Sequence, residues 1–124
     1  MKIIYIPNDR AEKLYHIRVI KTDACDERIR LKGALFHLFK LEEKCGTYTV
    51  VKKNLCTDKC GELLVENLPA GRYKFVEICA PAGYILCCES AWVVEVNSCR
   101  ADCESTVEIT IGNRREDCCR ICPC

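Results

Sequence analysis

Between two turns, Leu68-Pro69-Ala70-Gly71 and Ala80-Pro81-Ala82-Gly83, the chain reads Arg72-Tyr73-Lys74-Phe75-Val76-Glu77-Ile78. Proline presets a turn backbone and glycine supplies the conformations other residues avoid, so each Pro-Ala-Gly step marks a chain reversal. The seven residues between them suit a strand. Side chains two apart share a strand face, so Tyr73 and Phe75 point to one side and Glu77 extends that apolar side with a carboxyl group.

The same pattern recurs outward from this segment. Strand-like runs are read at Leu14–Lys21, Ala34–Lys40, Thr47–Lys52, Glu62–Val65, Ala91–Val96 and Thr106–Gly112, with a possible extra strand at Lys2–Ile6 ended by Pro7-Asn8-Asp9. Ala34, Phe36 and Leu38 alternate, as do Trp92, Val94 and Val96, which supplies apolar faces to two sheets. No stretch shows the three-and-four spacing of a long helix. The expected fold is all-β, a seven-stranded Greek-key β-sandwich. Residues 1–13 form an N-terminal strand extension, 14–113 the sandwich and 114–124 a cysteine-rich tail.

Two further apolar sets end on a polar residue. Tyr15, Ile17 and Val19 lead to Lys21, and Val107, Ile109 and Ile111 lead to Asn113. A lysine, a glutamate and an asparagine therefore extend buried faces. A lone buried ammonium or carboxylate is costly and escapes by pairing or neutralisation. Together the three groups allow another escape, in which the amine attacks the amide carbon and leaves a covalent crosslink. The plainer alternative is that all three reach solvent near strand ends.

Size and charge narrow the classes. The 124 residues suit one domain, and 19 basic against 18 acidic residues, spread along the chain, give a net charge of +1. No basic stripe points to nucleic acid, and no apolar run approaches the roughly 20 residues of a membrane span. MKIIYIPNDR has a short apolar patch without the longer core and cleavage site of a signal peptide. The expected site is nevertheless an extracellular cell or spore surface, because cysteine is the outlier: 13 of 124 residues, a density that implies oxidising surroundings.

Cys25, Cys45, Cys56, Cys60, Cys99 and Cys103 read as loop residues, Cys79 follows a strand, Cys87 and Cys88 follow Tyr84, and Cys118, Cys119, Cys122 and Cys124 crowd the tail. All are disulfide candidates. The odd count leaves at least one thiol unpaired or bonded to another chain. Sequence proximity favours Cys56–Cys60 and Cys99–Cys103 within the chain, whereas a dense tail has no core to staple and points to bonds between chains. The rival use is zinc, with the two Cys-x-x-x-Cys pairs and Cys119-x-x-Cys122 as thiolate ligands. His16 and His37 fall on outward parity and read as solvated, not as ligands. No metal and no cofactor is expected.

The central stretch resembles the pattern LPxGxYxxxExxAPxGY of the Cna B-type domain, the prealbumin-like sandwich of Gram-positive surface proteins and pilins. Lys21-Thr22-Asp23 followed by Gly33-Ala34-Leu35-Phe36-His37-Leu38 is similar to its KxD and GAxFxL, and Ile109-Thr110-Ile111-Gly112-Asn113 to its last strand. The resemblance covers about residues 14 to 113. It implies an intramolecular isopeptide bond with Lys21 as nucleophile, Asn113 as electrophile and Glu77 as catalyst, a single-turnover self-reaction and not an enzyme activity. The cysteine density and the missing leader and wall-sorting tail depart from ordinary members.

The function expected is a structural subunit of a self-assembling extracellular fibre or coat, with a spore appendage favoured. Neighbours would be copies of the same chain, joined through the N-terminal strand and the C-terminal cysteines, without nucleic acid or membrane. A pilin or adhesin-type binding module and a cysteine-rich metal-binding protein are the alternatives.

Overall fold

The computed structural model describes residues 13–86 and 90–116. Eight strands form among the described residues: β1 (Leu14–Asp23), β2 (Leu35–Glu42), β3 (Thr47–Cys56), β4 (Glu62–Pro69), β5 (Gly71–Cys79), β6 (Tyr84–Ile85), β7 (Ala91–Val96) and β8 (Thr106–Arg115). They build two four-stranded sheets, ordered β4-β1-β8-β6 and β3-β2-β5-β7. Every connection crosses between sheets except the β2–β3 hairpin. The sandwich read from the sequence is present, with β6 as an added short strand. The N-terminal strand and Cys87, Cys88, Cys118, Cys119, Cys122 and Cys124 lie outside the described residues.

The alternating residues meet where expected. Tyr15, Ile17 and Val19 of β1, Phe36 and Leu38 of β2, Tyr73 and Phe75 of β5, Val94 and Val96 of β7 and Val107 and Ile111 of β8 form one core. Phe36 packs edge-to-face on Phe75, with ring centroids 5.9 Å apart, a favoured aromatic geometry. β1 runs parallel to β8, so the first and last strands are hydrogen-bonded neighbours in the middle of one sheet.

Two glycines permit the close approaches at the end of this pair. A Cβ on Gly112 would stand 2.9 Å from Ala24 Cα, just beyond β1. Gly61 has φ of +75°, and a Cβ there would stand 2.9 Å from the Lys21 carbonyl oxygen; its own carbonyl accepts the Lys21 N–H at 2.7 Å.

Candidate functional site

Lys21 lies two residues from the end of β1, Asn113 two from the end of β8, and Glu77 two from the end of β5 in the facing sheet. The strand parity that extended each apolar face carries the three inward at one end of the core. Lys21 is 0%, Glu77 2% and Asn113 6% exposed, so the solvent-reaching alternative is excluded. Lys21 Nζ stands 3.6 Å from Glu77 Oε1 and donates to the Ile111 carbonyl at 3.2 Å. Asn113 Nδ2 donates to Glu77 Oε1 at 3.3 Å and to the Ile85 carbonyl at 3.1 Å. The Lys21 ammonium also lies 5.9 Å from the centre of the Trp92 ring.

Burial sets the protonation. It lowers the Lys21 pKa to about 8, against the opposing pull of the Glu77 charge. It raises that of Glu77, against Lys21 and the Asn113 amide. The two values move toward each other, which favours one proton shared over a full ion pair. At pH 7 roughly a tenth of a lysine with pKa 8 is neutral amine, some hundreds of times more than for an ordinary lysine. Glu77 Oε2 and Asn113 Oδ1 are buried acceptors with no donor. A proton on Glu77 would supply the donor that this acceptor-rich corner lacks.

The arrangement therefore brings a desolvated amine, a carboxamide and a carboxyl of raised pKa together in a buried site. These are the parts of an amide transfer: nucleophile, electrophile and proton carrier.

A neighbouring carboxylate, Asp23, enters the sequence reading only as the acid of the KxD match, with no role given to it. Asp23 is 3% exposed and is the Cα partner of Asn113 across β1 and β8. Burial opposes its ionisation, but hydrogen bonds from the Cys25 N–H, Tyr84 and Arg115 hold its pKa below the ordinary value. Its signal in the sequence was its parity, two residues beyond Lys21.

The seven described cysteines are free and exposed. Cys25, Cys56, Cys60 and Cys79 lie at the end of the sandwich that holds Lys21 and Asn113; Cys45, Cys99 and Cys103 lie at the opposite end. Cys56 is not a loop residue but closes β3, and Cys79, read as following a strand, is the last residue of β5. The Cys56–Cys60 and Cys99–Cys103 bridges are not formed. Side chains organise those turns instead: Asp58 accepts the N–H groups of Cys60 and Glu62, and Asn97 accepts those of Cys99 and Arg100. The two Cys-x-x-x-Cys pairs are separated by the strand length, roughly 25 Å at 3.3 Å per residue, so they share no metal site within one chain. Among the described residues no group of three or more His, Cys, Asp or Glu is placed to hold a metal. His16 and His37 are half-buried, and each Nδ1 accepts a backbone N–H at 3.2 Å, from Asn67 and Asn54.

The profile of the SpaA prealbumin-like fold domain matches residues 15–114. The chain belongs to that family. Three solved relatives show the same sandwich. The pilus 2b backbone protein of group B streptococcus has 20% identity and a TM-score of 0.66, over 83% of this chain and 42% of that one. Domains D2 and D3 of the major pilin SpaD from Corynebacterium diphtheriae have 21% and 0.69, over 84% and 48%. BcpA, the major pilin subunit of Bacillus cereus, has 33% and 0.61, over 84% and 29%. This prealbumin-like domain thus spans less than half the length of each. A comparison with curated protein sequences gave no match.

Proposed function

We propose that this chain is a structural subunit of an extracellular fibre or coat on a cell or spore surface, locked internally by a Lys21–Asn113 amide bond. One observation carries this reading: Lys21, Glu77 and Asn113 are buried together, linked through Glu77 Oε1 at 3.6 and 3.3 Å. Neutral Lys21 attacks the Asn113 carboxamide carbon. Glu77, protonated, donates to the carbonyl oxygen and passes the amine proton to the departing ammonia. Folding supplies the proximity, and the reaction runs once. The product ties the first strand to the last, so tension on the ends loads a covalent link and not a ladder of hydrogen bonds.

Assembly is proposed to use disulfides between copies of this chain, and the N-terminal strand and C-terminal cysteines as connectors. The placement of exposed thiols at both ends of the sandwich supports this, because each copy then offers bonds to two neighbours. Cys56 and Cys79 flank Leu35 on opposite sides in the sheet, about 10 Å apart at two strand spacings, too far to bridge each other. The solved pilins that share the fold support the fibre reading.

Intact mass of denatured protein, with and without reductant, tests both parts. A reduced monomer lighter than its sequence by one ammonia, with ladders that collapse on reduction, is expected. Full mass removes the internal bond, and a non-reduced monomer removes the disulfide assembly.

A further inference from the structure

The Asn113 amide has a second partner that the reaction above does not use. Its Nδ2 donates to the Ile85 carbonyl at 3.1 Å as well as to Glu77 Oε1. A backbone carbonyl only accepts, so this contact fixes which end of the carboxamide is nitrogen. Ile85 belongs to β6, which is held against the end of β8 by the pairs Tyr84↔Arg115 and Ile85↔Arg114. β6 and the end of β8 are also tied to β1: the Tyr84 hydroxyl donates to Asp23 Oδ2 at 2.9 Å, and Arg115 Nε of β8 donates to the same oxygen at 2.8 Å. Asp23 is fixed in turn by the N–H groups of Cys25 and Asp26 on its Oδ1, at 2.7 and 3.2 Å.

We propose that β6, latched to Asp23 through Tyr84 and Arg115, is a positioning element that selects an asparagine amide as the electrophile and orients its nitrogen as the leaving group. This rests on the crosslink reading above. In that reaction the Cγ–Nζ bond forms and the Cγ–Nδ2 bond breaks. Nδ2 departs as ammonia with its own two hydrogens and one taken from Lys21 Nζ through Glu77; no electrons are exchanged with any other species. Held by the Ile85 carbonyl, Nδ2 keeps one orientation while the carbon is attacked. A cavity of about 120 Å³, lined in part by Glu77, Ile85, Trp92 and Asn113, adjoins the amide. A water occupies about 30 Å³ in the liquid, so the cavity has room for a departing ammonia.

The selection follows from the same contacts. An aspartate at this position would set a carboxylate oxygen against the Ile85 carbonyl, an acceptor with no hydrogen to offer. Sites built around a substrate N–H reject analogues that lack it, because their buried acceptors are left unpaired.

The test uses the full chain, made by cell-free synthesis under reductant, quenched in acid at intervals and read by intact mass. The wild type loses one ammonia. Asn113→Asp should lose one water at least about tenfold more slowly. Tyr84→Phe leaves Lys21, Glu77 and Asn113 in place and removes only the latching hydroxyl. It should lose ammonia several-fold more slowly yet reach the same final mass and, once crosslinked, the same Tm, a split that a merely structural role would not give. A wild-type rate in either variant overturns the latch and leaves the crosslink standing. Full mass in the wild type removes crosslink and latch together.

Discussion

Lys21 and Asn113 lie on the same face of adjacent parallel strands, two residues apart in register: Lys21 is the Cα partner of Ile111, and Asn113 that of Asp23. The offset matches the reach of the two side chains. Lysine is long enough to run along β8 past Ile111, whose carbonyl it contacts, toward a short carboxamide one step further on the same face. Glu77 enters from the other sheet and touches both.

Replacing the nucleophile removes the bond and exposes its contribution. Lys21→Ala should keep the ammonia and unfold at lower temperature. A crosslink closing a loop of roughly 90 residues contributes about 4–5 kcal/mol by the chain-entropy estimate, or on the order of 15–25 °C in Tm for a domain of this size. Calorimetry beside intact mass checks both, and an unchanged Tm with unchanged ammonia loss refutes the assignment.

The carboxyl group tests the proton carrier. Glu77→Gln keeps the shape and can donate an N–H to the Asn113 carbonyl, but it moves no proton. General acid–base contributions of about 10²–10⁴-fold set the expected slowing of ammonia loss, read by timed intact mass. A glutamine variant that crosslinks at the parental rate would assign the proton transfer elsewhere.

The pH dependence follows from the opposite shifts of the pair. The reactive form holds one proton, with neutral Lys21 beside protonated Glu77. Below the raised Glu77 pKa both groups are protonated and the amine is inert; above about 8 both lose their protons and the acid is missing. The crosslinking rate should therefore be bell-shaped, with its alkaline limb near pH 8. In Asn113→Ala, which cannot crosslink, Lys21 binds its proton more weakly folded than unfolded. Its penalty holds in full below pH 8 and is relieved as pH rises toward 10.5. Glu77 acts the other way, and its contribution is lost as pH rises from 4.5 through its raised value. Urea midpoints across pH should thus rise on the alkaline side; a flat profile there would contradict the lowered lysine.

Close packing at Gly112 predicts a backbone effect. Gly112→Val places a side chain where an added Cβ alone would stand 2.9 Å from Ala24 Cα. Separation of β1 from β8 should cost about 1–3 kcal/mol and reduce the crosslinked fraction, read by denaturant melts and mass.

The two-ended placement of thiols predicts the growth of ladders. With oxidised glutathione as oxidant, wild-type protein should give long ladders on non-reducing gels. The triple variant Cys45→Ser, Cys99→Ser, Cys103→Ser, which strips one end of its described cysteines, should stop at short species. Undiminished ladders would place the junctions elsewhere.

Legibility followed burial. β7 was found at Ala91–Val96 as read, because one face is buried and the alternation is clean. β3 was read only to Lys52 but runs to Cys56, since it is exposed along nearly its whole length and no face dictates apolar residues. β6 escaped notice because two residues, Tyr84 and Ile85, carry no period. Lys21, Glu77 and Asn113 were legible because each breaks an apolar set on the buried parity. The Asp23 latch was not, since Tyr84 and Arg115 reach it only through the fold.

The most direct test is tandem mass spectrometry of a protease digest of reduced, denatured protein. A branched peptide joining Lys21 to Asn113, lighter by one ammonia than its two arms together, is expected. Two separate linear peptides, with Lys21 and Asn113 both unmodified, would contradict it.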